Sequence, residues 1–227
     1  MILTATMSAL LTTCAPNVGV KTMAGVVQYE SGWQPYAIGD NTTRHSYYPT
    51  TRDEALETET YLLGLGHNLD VGLSQVNSEN FAAYGLAPAT ALDSCRNLHA
   101  GSAILAEAYS RALRTNWTGA PIRTRQDVYL QQQESLVHAL SAYNTGGFFA
   151  GMGYARNVYD IAAAVQIDFP FAPAIHRDTA YEPKIRSPLH HAKKPRTTKT
   201  QIFRPAWNDQ PSTSAIQILG SKAETQP

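Results

Sequence analysis

No stretch of this 227-residue chain is apolar for long enough to cross a membrane. It has no glycine-rich phosphate loop and nothing that marks the nucleophile elbow of a serine hydrolase. The seven histidines, His45, His67, His99, His138, His176, His190 and His191, fall at no recognisable zinc spacing, so no metal site and no cofactor are expected. No internal repeat is visible. Residues 1–13 are mildly apolar but lack a basic start and a long apolar core, so they do not read as a secretory signal. Cysteine is scarce, with only Cys14 and Cys95. One long-range disulfide would imply an oxidising compartment, and two unrelated buried thiols would not. The count alone leaves both open.

What is present suits one folded domain with an appendage. The hydrophobic content of 43% is enough for a core, and the formal net charge is zero. The charge is unevenly spread. Residues 1–169 carry 9 Lys+Arg against 14 Asp+Glu, a net of −5, and residues 170–227 carry 9 against 4, a net of +5. The second stretch also holds 8 of the 13 prolines. Between Lys184 and Lys199 it contains six basic residues and no acid. Such a segment buries too little apolar surface to offset its ordering entropy, so 170–227 is expected to be a disordered tail.

The domain reads as mainly α. Helices are expected over Thr4–Cys14, from an Asn17 cap to Ser31, and from Thr51 or Arg52 to Leu63. A short helix at Ser78–Tyr84 is stopped by Gly85, and a further short turn spans Ala89–Asp93. Long helices follow over Asn97–Leu113 and Asp127–Tyr143, the second with Val128, Leu136, Val137 and Leu140 inward. A last helix runs from Tyr154 to Ile167. Gly32–Thr51 is loop with a short hairpin around Tyr47–Thr50, and Asn68–Asn77 is extended or looped.

Within the second helix, Val20, Met23, Val27 and Glu30 follow one another at spacings of three, four and three. This marks one helix face and places a carboxyl group on the apolar stripe. A carboxyl so placed is either paired or shifted upward by desolvation, which suits a general acid. The same residue also reads as an ordinary helix-end glutamate turned toward water before Gly32.

Three further clusters bear on that choice. They are Gly72-Leu73-Ser74-Gln75-Val76-Asn77 after Asn68-Leu69-Asp70-Val71, then Ala142-Tyr143-Asn144-Thr145-Gly146, then Tyr154 with Val158. Taken singly, the first is a capping turn before Ser78 and the second a helix end. In this order, together with Glu30-Ser31, they resemble the motif set of the Slt-type lytic transglycosylases. Those enzymes have a goose-type-lysozyme-like α domain and cleave bacterial peptidoglycan. The resemblance covers about residues 12–165 and is nearest in appearance to the transglycosylases of type IV secretion and conjugation systems.

The resemblance implies a mainly α, lysozyme-like catalytic domain over 1–169 with irregular loops. It implies Glu30 as the catalytic acid and then base, and Ser31, Ser74, Gln75, Asn77, Tyr143, Asn144 and Tyr154 as substrate-binding residues. It implies a periplasmic protein with a Cys14–Cys95 disulfide. The reaction implied is cleavage of the β-1,4 bond between N-acetylmuramic acid and N-acetylglucosamine, with 1,6-anhydro product formation and no second carboxylate. Peptidoglycan strands are the expected partner, with secretion-channel subunits engaging 170–227; no nucleic-acid fold accompanies that basic segment. Two alternatives stand beside this reading. One is a lysozyme-like hydrolase using a second acid from Asp40, Asp70 or Glu79. The other is a non-catalytic glycan-binding scaffold.

Overall fold

The computed structural model describes residues 1–167; the basic Pro-rich segment 170–227 lies outside the described residues. Helix α1, Ala5–Cys14, starts at Thr4, whose hydroxyl accepts the Met7 N–H at 3.2 Å. Helix α2, Val20–Glu30, follows. Its N-cap is Gly19, with no side-chain capping bond, rather than Asn17. Asn17 has the right chemistry for a cap, but the helix begins three residues beyond it. Met23 and Val27 are fully buried and Val20 and Glu30 half-buried, so the expected stripe forms. The helix packs along α7, Met152–Ala163. Gly25 makes the approach possible, because a Cβ there would stand 2.8 Å from the Val158 carbonyl.

Helix α3, Arg52–Gly64, is fixed by a capping box. Thr51 Oγ1 accepts the Glu54 N–H at 3.2 Å, and the Glu54 carboxylate accepts the Thr50 and Thr51 N–H groups in return. Before it, β2 (Ile38–Asp40) and β3 (His45–Tyr47) form the hairpin, whose turn lies at 41–44 and not after Tyr47. Asp40 sets that turn by accepting the Thr42 and Thr43 N–H groups and the Thr43 hydroxyl. Strands β4 (Leu69–Val71) and β5 (Val76–Asn77) complete an antiparallel sheet of order β3-β2-β4-β5. In its register Asp70 lies between Gly39 and Asn77.

Residues 78–84, expected as one short helix, form two 3-10 turns, Ser78–Asn80 and Ala82–Tyr84, closed by Gly85 at φ +67°. Helix α4 is Pro88–Ala91. The long α5 begins at Ser94, three residues earlier than expected, because Asp93 caps it through the Arg96 N–H. Helix α6 spans Arg125–Thr145. Val128, expected inward, is 44% exposed, while Leu136 and Leu140 are buried. The last helix stops at Ala163, and Gln166–Ile167 form β6, paired in parallel with β1, Ile2–Leu3. Helices α5, α6, α2 and α7 enclose one core with Met23, Leu98, Leu105, Tyr109 and Leu140 at its centre. This is the helical architecture expected, with a small sheet in place of part of the loop region.

Cys14 and Cys95 form a disulfide across 81 residues. It joins the last residue of α1 to the second residue of α5, not to a preceding loop. Replacing both cysteines with serine is expected to cost about 2–4 kcal/mol. For a domain of this size that lowers the melting temperature by roughly 5–15 °C. A melting curve unchanged by the double substitution would refute a stabilising role.

Candidate active site

Glu30 closes α2, and two buried phenols face it. Tyr154, in the first turn of α7, has its pKa raised by burial and then by the charge of Glu30. Tyr143, in the last turn of α6, is raised by burial, then by Glu30, then by Asp70. The Tyr154 ring lies edge-on to Tyr29 at 4.9 Å between centroids and stacks near Tyr143 at 6.5 Å. Three elements distant in sequence thus converge on one carboxyl group. Both phenols remain protonated at neutral pH, and Tyr154 can donate its hydroxyl hydrogen to an anion beside it.

The Gly72–Asn77 turn forms the opposite support. Gly72 adopts φ +80°, and a Cβ there would meet the Asn97 amide nitrogen at 2.5 Å. The Gly72 N–H donates to Ala37 O at 2.8 Å. Gln75 is held at φ +47°, a conformation few residues other than glycine adopt. Its amide nitrogen offsets this by donating to Ala37 O and Gly72 O, each at 2.9 Å. Ser31 Oγ donates to Leu73 O at 2.9 Å and so stitches the end of α2 to the turn. Tyr143 Oη donates to Ser74 O at 2.7 Å and stitches α6 to it.

These bonds decide what each expected site residue can do. Ser31, Ser74, Tyr143 and Tyr154 are gathered around the end of α2, but Ser74 is fully buried and its hydroxyl reaches no solvent. Asn77 is also committed. Its Nδ2 donates to Asn68 Oδ1 at 2.7 Å and to Asp70 Oδ1 at 2.9 Å. Its Oδ1 accepts from Asn68 and from the Glu79 N–H. Gln75 has spent its donors on the backbone. Asn144 differs, being half-buried with an amide that makes no hydrogen bond among the described residues. It is the expected contact residue most available to a ligand.

Of the three candidate second acids, Asp40 is buried and occupied. Burial pushes its pKa up, but the bonds from Thr43 and His67 outweigh that and hold it lowered. Glu79 sits in the 3-10 turn after β5. Asp70 is half-buried, and its charge reaches Tyr143. Among the described residues, no group of three or more His, Cys, Asp or Glu could hold a metal ion.

Two residues of α5 complete the site and were not expected in it. Asn97 is fully buried. It accepts the Ser74 N–H at 2.8 Å and donates to Val71 O at 2.8 Å and Ala91 O at 3.0 Å. One turn on, Gly101 would place a Cβ 2.5 Å from Ser74 Cβ and 3.1 Å from Tyr143 Oη. Their only sequence signal is an Asn and a Gly four apart on a helix, a spacing that by itself marks nothing.

Residues 9–160 match the family profile described as the transglycosylase SLT domain. The chain belongs to that family. As an SLT domain, it has the lysozyme-like helical fold. The chain is 35% identical over 154 residues to the protein virB1 of Rhizobium radiobacter, covering 67% of this chain and 59% of that one. It is 41% identical over 138 residues to the type IV secretion system protein virB1 of Brucella abortus biovar 1, covering 61% and 53%. Against the protein virB1 of Agrobacterium fabrum the identity is 37% over 147 residues, covering 64% and 54%. The match therefore spans little more than half the length of these relatives. No solved structure gives a significant match. The SLT match includes Glu30, the Gly72–Asn77 turn, Tyr143 and Tyr154. Among the described residues no helix is long and apolar enough to cross a membrane.

Proposed function

We propose that this SLT domain is a peptidoglycan lytic transglycosylase that cuts the β-1,4 bond between N-acetylmuramic acid and N-acetylglucosamine. The observation that carries the reading is the Glu30 carboxyl at the end of α2, set against the buried Tyr143 and Tyr154 phenols beside the family's turn. Glu30 gives its proton to the glycosidic oxygen as the bond from the muramyl C1 to that oxygen breaks. The substrate's own acetamido oxygen bonds to C1 and takes the place of an enzyme nucleophile. The 6-hydroxyl then attacks C1, displaces the acetamido oxygen and returns its proton to Glu30. The product is a 1,6-anhydro sugar, and no water is consumed.

The other residues serve this sequence in two ways. Tyr154 stabilises the Glu30 carboxylate between its two proton transfers, and Tyr143, whose hydroxyl is given to Ser74 O, stacks behind Tyr154. Asn144 offers its amide to the acetamido group or a sugar hydroxyl. Ser31, Ser74, Gln75 and Asn77 act through their bonds to the turn, holding the floor on which the sugar lies. The relatives' names support a place in a type IV secretion apparatus, where such an enzyme opens the wall locally from the periplasmic side. Channel subunits engaging residues 170–227 belong to the same proposal.

A hydrolase is the second reading, and Asp70 is the observation that favours it. The two differ in product. Purified sacculi treated with the protein should release muropeptides with anhydro-muramyl ends, read by mass spectrometry. Reducing ends would transfer the proposal to the hydrolase and make Asp70 the acid to test. Failure to release any product would leave a glycan-binding scaffold.

A further inference from the structure

We propose that Asn97 and Gly101 of α5 are positioning residues that set the height of the cleft floor, and that the absence of a side chain at 101 is what brings Ser74 and Tyr143 into place. The proposal rests on the reading of this cleft as the cutting site. The two residues lie one turn apart on the same helix face and act on the same residue from two sides. Asn97 draws the Ser74 amide toward α5 with a 2.8 Å bond. Gly101 leaves the space into which the Ser74 side chain is drawn, since a Cβ there would stand 2.5 Å from Ser74 Cβ and 2.6 Å from Ser74 Oγ.

Ser74 Oγ is buried and makes no hydrogen bond among the described residues. The backbone of Ser74 does the work. Its N–H goes to Asn97 and its carbonyl receives Tyr143 Oη at 2.7 Å. Tyr143 in turn stands close enough to Glu30 for the carboxylate's charge to raise its pKa. A methyl group at 101 would lift Ser74 from α5 and press on Tyr143 Oη at 3.1 Å. The displacement would reach the phenol that faces the acid without touching Glu30 itself.

The test is a double-substitution cycle on the full chain. Gly101→Ala should lower kcat on purified sacculi by about 10²-fold, the cost of a misplacement near 1 Å. KM should change far less. Alanine suits a helix better than glycine, so the loss is not expected to come from melting α5. Adding Ser74→Gly removes both Ser74 atoms that the new methyl strikes. The pair should recover most of the lost kcat, which a general loss of stability would not do. Hydrogen exchange gives a reading independent of turnover: the residue 74 amide should be protected in the wild-type protein, exposed in Gly101→Ala and protected again in the pair. Wild-type kcat in Gly101→Ala, or a pair that recovers neither rate nor protection, overturns the proposal. If Gly101→Ala fails to fold, the pair must fold and turn over, or the proposal fails. If the wild-type protein releases no product from sacculi, the cutting reading fails by itself. The amide protection pattern then decides the seat.

Discussion

Glu30→Gln should reduce muropeptide release by about 10²–10⁴-fold, the range supplied by a positioned general acid–base. The amide is nearly isosteric with the carboxyl but can neither give a proton to the glycosidic oxygen nor take one from the 6-hydroxyl. Both half-reactions fail together, so no intermediate should accumulate. The fold should be unaffected, because α2 is held by Met23, Val27 and the Gly25 contact with α7 rather than by its last residue. Far-ultraviolet circular dichroism and melting should therefore overlay the wild type while release falls. Retention of more than about a tenth of the wild-type rate would remove Glu30 from the chemistry, since even the weakest such catalyst contributes more.

The second large effect concerns stability and arises on α3, between Glu30 and the Gly72–Asn77 turn in sequence. Glu59 is fully buried on α3, and neither carboxyl oxygen has a hydrogen-bond partner among the described residues. Burial raises its pKa from 4.5 to about 8. The folded protein therefore keeps this proton over a range where the unfolded chain releases it. Below about pH 4.5 both states hold it, and Glu59 adds no pH dependence. As pH rises from there toward 8 the folded state is progressively disfavoured, and above 8 the penalty is complete. At about 1.4 kcal/mol per pKa unit, the full penalty is roughly 4–5 kcal/mol. Glu59→Gln removes the titration while keeping the shape. Its melting temperature should lie near that of the wild type at pH 4.5 and well above it at pH 9. Parallel melting profiles across that range would show that Glu59 titrates normally.

These two acids show where sequence patterning succeeds and where it stops. Glu30 was legible because it continues the three, four, three spacing of Val20, Met23 and Val27. Glu59 lies on an equally regular buried stripe, Ala55, Glu59 and Leu62, with no neighbouring motif to single it out. Spacing places both carboxyls on an inner face. Only the tertiary structure shows that one meets two phenols and that the other meets no hydrogen-bond partner among the described residues. Local signals with local partners were readable, as in the helix start at Thr51 or Arg52 and the Gly85 stop. Ser74, Gln75 and Asn77 were visible as a motif, but their bonding was not. Their partners are Asn97, Ala37 and Asn68, and no rule of short spacing links Ser74 to a residue 23 positions away. The Val128 error has a similar cause. Helical periodicity continues to the start of α6, while the packing that would bury it does not.

The pairing of β1 with β6 has a mechanical consequence. Ile2 lies beside Gln166 and Leu3 beside Ile167, so the two ends of the described domain share one pole. Tyr154 lies near the start of α7 and β6 follows its end. Twelve helical residues separate the two regions by about 18 Å. Anything joined at either end would therefore attach at the pole remote from Glu30, so a load on the chain ends would be borne by the β1–β6 pair rather than by the cleft.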